Sequence, residues 1–436
     1  MSVGISEAHH ILLLVRVQLD GDDRSSIQDK IDRLTLPGQR ESPLSTTMSY
    51  RDKLSKIGPR KLLALDGGGI RGVITLEVLA EIERQLQKKL GRGDDFVLAD
   101  YFDYIAGTST GAIIGTCLAL GMRVGEVARF YEESGPAMFD KANLIQRFKQ
   151  GKFHDKKLAI RLQELIEKRT GNPMSSLGSE HLCTLLMVVL RNVTTDSPWP
   201  VSNNPAAKYN APHRADSNLN IPLWQLVRGS TAAPTYFPPE VVKVGEQEFI
   251  FVDGGVTMYN NPAFQLFLMA TVEAYNLAWP AGEKEMLLVS IGTGTDPKAN
   301  ANLAPGQMNL VYNATSIPAA LMFAASNEQD FLCRVFGKCL VGDPLDREVH
   351  NMIDERDLEK SFPGCKGPSN KLFTYLRYNA ELSKTGLGRL GVGHLDPKHV
   401  QQMDSVDHIG EMQELGQALA QQKVKAEHFA GFPAAS

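Results

Sequence analysis

The chain has 436 residues, 46 basic and 50 acidic side chains, a net charge of −4 and 43% apolar residues. A protein that coats nucleic acid would show a marked basic excess, so no nucleic-acid polymer is expected as a partner. Apolar runs such as residues 11–15 and 185–190 are far shorter than the roughly 20 residues of a membrane-spanning helix. The composition is typical of an ordinary soluble globular protein.

The N-terminus and the cysteines both indicate a cytoplasmic protein. Glu7, His9 and His10 occupy the region where a signal peptide would carry positive charge, and no convincing cleavage site follows. The cysteines are odd in number and form no CxxC pair, which predicts neither a disulfide framework nor a structural zinc site.

Three regions differ in pattern. Residues 1–60 are rich in polar residues and proline and predict an extension that is poorly ordered or loosely attached. Residues 61–300 alternate strand and helix patterns and predict one catalytic core, whereas residues 301–436 read as a mainly helical part packed on it.

Within the core, the first strand is expected at residues 62–65 and is followed by a helix that ends before Gly91. A second strand and helix are expected at residues 102–106 and 112–120, and a closing amphipathic helix at 405–429. Alternating strands and helices predict an α/β fold with a mostly parallel sheet covered on both faces. Further strands are expected at residues 183–190, 248–252 and 287–291.

The first chemical motif is Gly107-Thr108-Ser109-Thr110-Gly111, a G-x-S-x-G sequence between a predicted strand and a predicted helix. Small flanking residues allow the sharp turn that exposes a nucleophilic serine. A serine that only caps the helix is the structural alternative.

The second motif is Asp66-Gly67-Gly68-Gly69-Ile70-Arg71-Gly72. Consecutive glycines favour a close approach to the backbone, and N–H groups at a helix start suit an oxyanion or a phosphate. The sequence also matches G-x-G-x-x-G, but the acidic residue of a dinucleotide site is not found about 20 residues later. A purely structural turn is the remaining alternative.

The third motif is Asp253-Gly254-Gly255, directly after an apolar run. A desolvated aspartate at a strand end would have a raised pKa and would act as a base near neutral pH. An ordinary Asp-Gly turn explains the same residues.

In this order the three motifs resemble the patatin-like phospholipases, and two further segments, residues 230–234 and 290–294, support the resemblance. It implies a patatin-like three-layer α/β fold with a helical C-terminal portion. It also implies Ser109 as nucleophile and Asp253 as its partner in a Ser-Asp dyad. Gly67, Gly68 and Gly69 are then the oxyanion hole, and Arg71 supports the site or binds substrate.

The resemblance implies hydrolysis of membrane phospholipids through an acyl-serine intermediate, with no metal and no cofactor. The substrate would be reached by peripheral contact with the inner membrane surface. A narrower resemblance, to phospholipase effectors of bacterial anti-phage defence, implies activation by a cyclic nucleotide and leaves a homo-oligomer open. A constitutively active lipase is the alternative within the family.

Two other classes of protein remain open from the sequence. An α/β-hydrolase-like esterase would complete a Ser-His-Asp triad with one of four downstream histidines, none of which lies in a recognisable motif. A nucleotide-binding module without catalysis would use the glycine loop and leave Ser109 without a role. The histidines are His350, His394, His399 and His408.

Overall fold

The computed structural model describes residues 49–139, 156–211, 213–234, 237–295, 310–345 and 370–433. The chain divides into two compact units, residues 1–46 and 47–436, and the first lies outside the described residues. Among the residues described, no helix has both the length and the apolar content needed to cross a bilayer.

The described strands form one sheet in the order β5-β6-β3-β2-β1-β7-β9-β8, with β4 paired to β3. The pairs that join β1, β2, β3, β7, β8 and β9 are parallel, and the pairs β3–β4, β3–β6 and β5–β6 are antiparallel. The strands are β1 Arg60–Leu65, β2 Tyr104–Thr108, β3 Leu185–Asn192, β4 Ser197–Ser202, β5 Glu240–Val244, β6 Gln247–Asp253, β7 Met286–Ile291, β8 Gly337–Val341 and β9 Phe373–Tyr378.

Every residue of β1, β2, β7 and β9 is buried, so both faces are covered at the centre of the sheet. The predicted α/β fold with a mostly parallel sheet is confirmed. The described helices are α1 Tyr50–Ser55, α2 Gly72–Leu90, α3 Leu98–Tyr101, α4 Thr110–Ala119, α5 Val124–Phe139, α6 Lys156–Thr170, α7 Leu223–Ser230, α8 Ala263–Thr271, α9 Leu310–Phe336, α10 Lys384–Arg389, α11 Pro397–Gln401 and α12 Ile409–Lys423.

The end of the predicted N-terminal extension is not loose. Ser49 caps α1 through a capping box with Asp52, and the Tyr50 side chain is completely buried. Lys53 is buried too, and its ammonium donates to the carbonyl of Phe102 at 2.5 Å. Residues 49–60 therefore belong to the same compact unit as the sheet, and the rest of the predicted extension lies outside the described residues.

The part after residue 301 contributes more than helices, because β8 and β9 complete one side of the central sheet. The predicted closing helix at 405–429 is shorter than expected. Helix α12 covers Ile409–Lys423 and is flanked by the 3-10 turns Val406–His408 and Ala426–Phe429. Its buried Met412, Leu415 and Leu419 pack the helix against α2.

Candidate active site

Two strands that run in opposite directions meet end to end at the candidate site. Strand β2 is parallel to β3 and pairs Thr108 with Val189, whereas β6 is antiparallel to β3 and pairs Asp253 with Leu190. Because β4 occupies the other edge of β3 along this stretch, β2 and β6 share one edge. The carboxyl ends of β2 and β6 therefore face each other, which brings the first and third motifs together.

Ser109 occupies the sharp turn between β2 and α4. Its backbone has φ 55° and ψ −120°, an unusual conformation for a residue with a side chain. The turn needs glycine on both sides: a Cβ on Gly107 would lie 2.0 Å from the Gly111 carbonyl oxygen, and one on Gly111 would lie 2.2 Å from the Leu65 oxygen. Helix α4 begins at Thr110, so the positive end of its dipole lies at the serine.

Ser109 and Asp253 form a direct hydrogen bond. The serine Oγ donates to Oδ2 of Asp253 at 2.7 Å, and the other carboxylate oxygen accepts from the Gly255 N–H at 2.6 Å. The aspartate is 5% exposed. Burial raises its pKa to about 6, and the hydrogen bonds from Gly255 and Ser109 and the charge of Arg228 limit the rise. The carboxylate is thus ionised at neutral pH and oriented by two donors.

Ser230 positions the nucleophile and was not assigned a role from the sequence. Its Oγ accepts from the Ser109 N–H at 2.9 Å and donates to the Val189 carbonyl at 2.7 Å. The Ser230 hydroxyl therefore links the strained backbone of Ser109 to β3. Ser230 belongs to one of the segments that carried the family resemblance, but only the fold shows which backbone groups it contacts.

The three-glycine turn lies against the nucleophile. A Cβ on Gly67 would come within 3.2 Å of the Ser109 Cβ. The Gly67 N–H donates to the Asn260 carbonyl at 3.1 Å. The N–H groups of Gly68 and Gly69 have no acceptor among the described residues, so these two of the three predicted donors remain available to a ligand.

Thr293 supports this turn from the end of β7. Its Oγ1 donates to the Gly67 carbonyl at 2.9 Å, and its side chain fills the space that a Cβ on Gly68 would need, at 2.1 Å. Thr293 lies in the Ser290–Gly294 segment that also supported the resemblance. The contact explains why a side chain cannot be tolerated at Gly68 without moving Thr293.

We expect Thr293→Val to lower kcat for ester hydrolysis by up to about tenfold, with little change in KM, because it keeps the shape and removes a bond worth about 1 kcal/mol. Steady-state kinetics on a soluble acyl ester measure this. Thr293→Ser keeps the hydroxyl and is expected to retain most of the rate. A serine variant as slow as the valine variant, or a change confined to KM, would contradict the positioning role.

Asp66, at the start of the glycine turn, is held by a buried arginine. The guanidinium of Arg377 on β9 donates to both carboxylate oxygens, at 3.0 and 2.6 Å, and to Ser290 Oγ at 2.7 Å. Asp330 on α9 lies 3.9 Å from the same guanidinium and pairs with Arg334. This network fixes the turn to β7, β9 and α9.

Arg377→Met is expected to destabilise the protein by about 3–5 kcal/mol, because it leaves the buried Asp66 carboxylate without its partner. Urea unfolding measures the loss. The matched control is Arg389→Met, which breaks an ion pair with Glu381 in which the arginine side chain is 60% exposed. That change is expected to cost less than about 1 kcal/mol. Equal losses for the two variants would contradict a structural role for the buried pair.

Arg71 contacts the C-terminal region. Its Nη1 donates to the Gln401 carbonyl at 3.3 Å, and the residue is 9% exposed. The neighbouring Ile70 N–H donates to the Met403 carbonyl at 2.9 Å. Of the two roles predicted for Arg71, these contacts favour support of the glycine turn by the C-terminal region.

The histidines of the alternative triad lie elsewhere or outside the described residues. His399 and His408 contact Glu411, and His394 contacts Glu414. His350 falls outside the described residues. In the part of the chain that the structure describes, Ser109 and Asp253 form no hydrogen bond with a histidine.

Comparison with known proteins finds one family. Residues 63–267 match the family model described as patatin-like phospholipase. Patatin-17 of Solanum cardiophyllum is 30% identical over 269 residues, which cover 58% of this chain and 64% of that protein. Patatin-like protein 1 of Arabidopsis thaliana is 28% identical over 343 residues, or 69% and 79% of the two chains.

Among solved structures, VipD from Legionella pneumophila aligns with 82% of this chain and 67% of its own, at 15% identity and a TM-score of 0.34. The match to Patatin-17 covers 64% of that protein, so the chain spans somewhat under two thirds of its length. All three motifs of the candidate site lie inside the segment that matches the family model.

Proposed function

Because the chain belongs to the patatin-like phospholipase family, we propose that it is a serine acyl-ester hydrolase that releases fatty acids from membrane phospholipids. The observation that carries the proposal is the 2.7 Å hydrogen bond from Ser109 Oγ to Asp253 Oδ2. It joins a nucleophile in a strained, half-buried turn to a base whose pKa lies near neutrality.

In the acylation step, Ser109 Oγ attacks the ester carbonyl carbon and its proton passes to Asp253 Oδ2. The carbonyl oxygen becomes an oxyanion, and the free N–H groups of Gly68 and Gly69 are the proposed donors to it. The intermediate collapses when the C–O bond to the alcohol breaks. Asp253 returns the proton to the departing alcohol and leaves an acyl-serine.

In the deacylation step, water takes the place of the alcohol. Asp253 removes a proton from the water as its oxygen attacks the acyl carbon, and the same glycine donors stabilise the second oxyanion. Ser109 Oγ then leaves and recovers its proton from Asp253. The fatty acid departs, and the carboxylate is ready for another cycle.

The Asp253 carboxylate is suited to both proton transfers. With a pKa of about 6 it is mostly ionised at pH 7, yet it is far more basic than an exposed aspartate. The Gly255 N–H holds Oδ1 and directs Oδ2 at the serine. A direct Ser-Asp contact favours the dyad over the histidine triad.

A fluorophosphonate probe tests the nucleophile directly, because activated serines attack its phosphorus, displace fluoride and become phosphonylated. Wild type is expected to take up one probe per chain at Ser109, whereas Ser109→Ala takes up none. Ser55→Ala, which changes an exposed serine at the end of α1, is the matched control and is expected to label like wild type. Labelling of a different residue, or no labelling of well-folded wild type, would overturn the proposal.

Control of the activity is a narrower part of the proposal. We propose that a cyclic nucleotide activates the enzyme at the inner membrane surface, as the resemblance to anti-phage effectors implies. Release of fatty acid from phospholipid vesicles, with and without cyclic nucleotides, distinguishes this from a constitutively active lipase. Full activity without any nucleotide would contradict the regulated form and leave the hydrolase proposal intact.

A further inference from the structure

Two histidines and a glutamate converge beside the glycine turn, in the C-terminal region. The Nδ1 atoms of His399 and His408 lie 2.9 and 2.8 Å from Oε1 of Glu411. One ligand atom from each side chain lies within 4.8 Å of the other two. His399 belongs to α11, His408 precedes α12, and Glu411 lies in the first turn of α12.

Two imidazoles and a carboxylate are a ligand set that suits a divalent transition metal, above all Zn²⁺. In a tetrahedral site with bonds of about 2.0–2.1 Å, neighbouring ligand atoms lie about 3.3 Å apart. The observed separations of the nitrogens from the carboxylate are 2.8–3.2 Å. The nitrogen–carboxylate separations are therefore within about 0.5 Å of those in a tetrahedral site.

The two imidazole rings must tilt to bind one ion. They now stack with centroids 3.6 Å apart and planes at 14°, so their in-plane lone pairs lie in two nearly parallel planes. Their side chains are 38% and 32% exposed, which leaves room for that rotation and an entry path for an ion. A fourth position would remain for water.

The segment between the two histidines holds the glycine turn. The Gln401 carbonyl accepts from Arg71, and the Met403 carbonyl accepts from Ile70, directly after Gly69. A Cβ on Gly69 would lie 2.3 Å from the Met403 carbonyl oxygen, so the contact is tight. An ion bound by His399 and His408 would close the loop that carries both carbonyls.

We propose that His399, His408 and Glu411 form a binding site for a divalent transition-metal ion, with Zn²⁺ as the best match, and that the bound ion fixes residues 401–403 against the Gly69–Arg71 turn. Metal binding stands on the geometry of the three side chains alone. Its effect on catalysis also rests on the proposed function, because the stiffened turn carries the proposed oxyanion donors.

The binding experiment is equilibrium dialysis of the full chain against Zn²⁺, with bound metal measured by mass spectrometry. Wild type is expected to bind one ion, and His399→Ala, His408→Ala and Glu411→Gln to bind it about 100-fold more weakly or not at all. The matched control is His394→Ala, which removes a histidine paired with Glu414 one turn further along α12, at 3.0 Å. Wild-type affinity in His399→Ala and His408→Ala would overturn the site.

Hydrogen exchange tests the coupling independently of activity. Saturating Zn²⁺ is expected to slow exchange of the Ile70 amide about tenfold or more, because opening of its bond to Met403 becomes rarer. The slowing is expected in wild type and His394→Ala and to be lost in His399→Ala. Unchanged Ile70 exchange with metal bound would overturn the coupling. Hydrolysis is measured in the same samples, and slowed exchange without any esterase activity would count against the proposed function alone.

Discussion

Replacing Ser109 with alanine is expected to lower kcat for phospholipid or acyl-ester hydrolysis by on the order of 10⁴-fold or more, since the residue supplies the attacking atom. The fold is expected to survive, because the small side chain is only half-buried. The substitution does not relieve the backbone strain at φ 55°, because alanine keeps the Cβ that makes this conformation unfavourable. Kinetics on vesicles and on a soluble ester measure the effect.

Ser109→Gly is the useful companion to Ser109→Ala. Glycine adopts a positive φ readily, so this variant is expected to be more stable than the alanine variant and equally inactive. Both need a thermal unfolding curve beside the rate. Substantial turnover in either well-folded variant would remove Ser109 from the mechanism.

Asp253→Asn is expected to reduce kcat by a factor comparable to that of Ser109→Ala, while the geometry of the site is kept. The amide oxygen can accept from the Gly255 N–H, and the amide nitrogen can donate to Ser109 Oγ, so both contacts have a neutral counterpart. The amide cannot take the serine proton, however. A near-normal rate for this variant would exclude the dyad and would favour a histidine as the base.

The pH profile follows from the same carboxylate. The base must be ionised, so kcat/KM of wild type is expected to rise with pH through about 6 and then reach a plateau. Ser230→Ala is a suitable control, since it loosens the Ser109 N–H without touching the aspartate and is expected to keep the midpoint. A midpoint near 4 would contradict a buried, desolvated base.

The raised pKa of Asp253 also makes the free energy of unfolding depend on pH. Its folded pKa of about 6 lies above the unfolded value of 3.8, so ionisation of the aspartate costs more free energy in the folded state than in the unfolded state. The resulting destabilisation is absent below pH 3.8, grows between 3.8 and about 6, and is complete above that. Asp253→Asn removes it and is expected to stabilise the protein at pH 8 by up to about 3 kcal/mol, with no gain near pH 4.

Each of the three motifs taken alone left a structural alternative open, and only their order along the chain resembles the patatin-like phospholipases. That resemblance is what allowed Ser109 and Asp253 to be named as a dyad, together with the glycine turn. The contact of Arg377 with Asp66 could not be predicted, because it depends on β9 lying beside β7 in the sheet. The same holds for Thr293, whose hydroxyl reaches Gly67 only where the ends of β1 and β7 adjoin.

Strands β4 and β9 were not predicted from the sequence, and each omission has a physical reason. Strand β4 has the sequence Ser-Pro-Trp-Pro-Val-Ser, and its two prolines, which are confined to edge strands and bulges, argue against a strand when only the sequence is known. Strand β9 is buried throughout and mixes aromatic and polar residues without a clear period. The sequence therefore gives no strand pattern there, within a region predicted to be mainly helical. The availability of each glycine N–H likewise depends on distant chain segments such as the one containing Asn260.

The end-to-end meeting of β2 and β6 on one edge of β3 determines which length changes an enzyme of this architecture can accumulate. The spacing of nucleophile and base is set by consecutive rungs, Val189 and Leu190, and not by any loop. One residue inserted between them would move the two strand ends about 3.3 Å apart and turn the following side chains to the opposite face. Insertions in the surface connections leave those rungs untouched, so length changes there keep the spacing of Ser109 and Asp253, whereas the length of β3 must stay fixed.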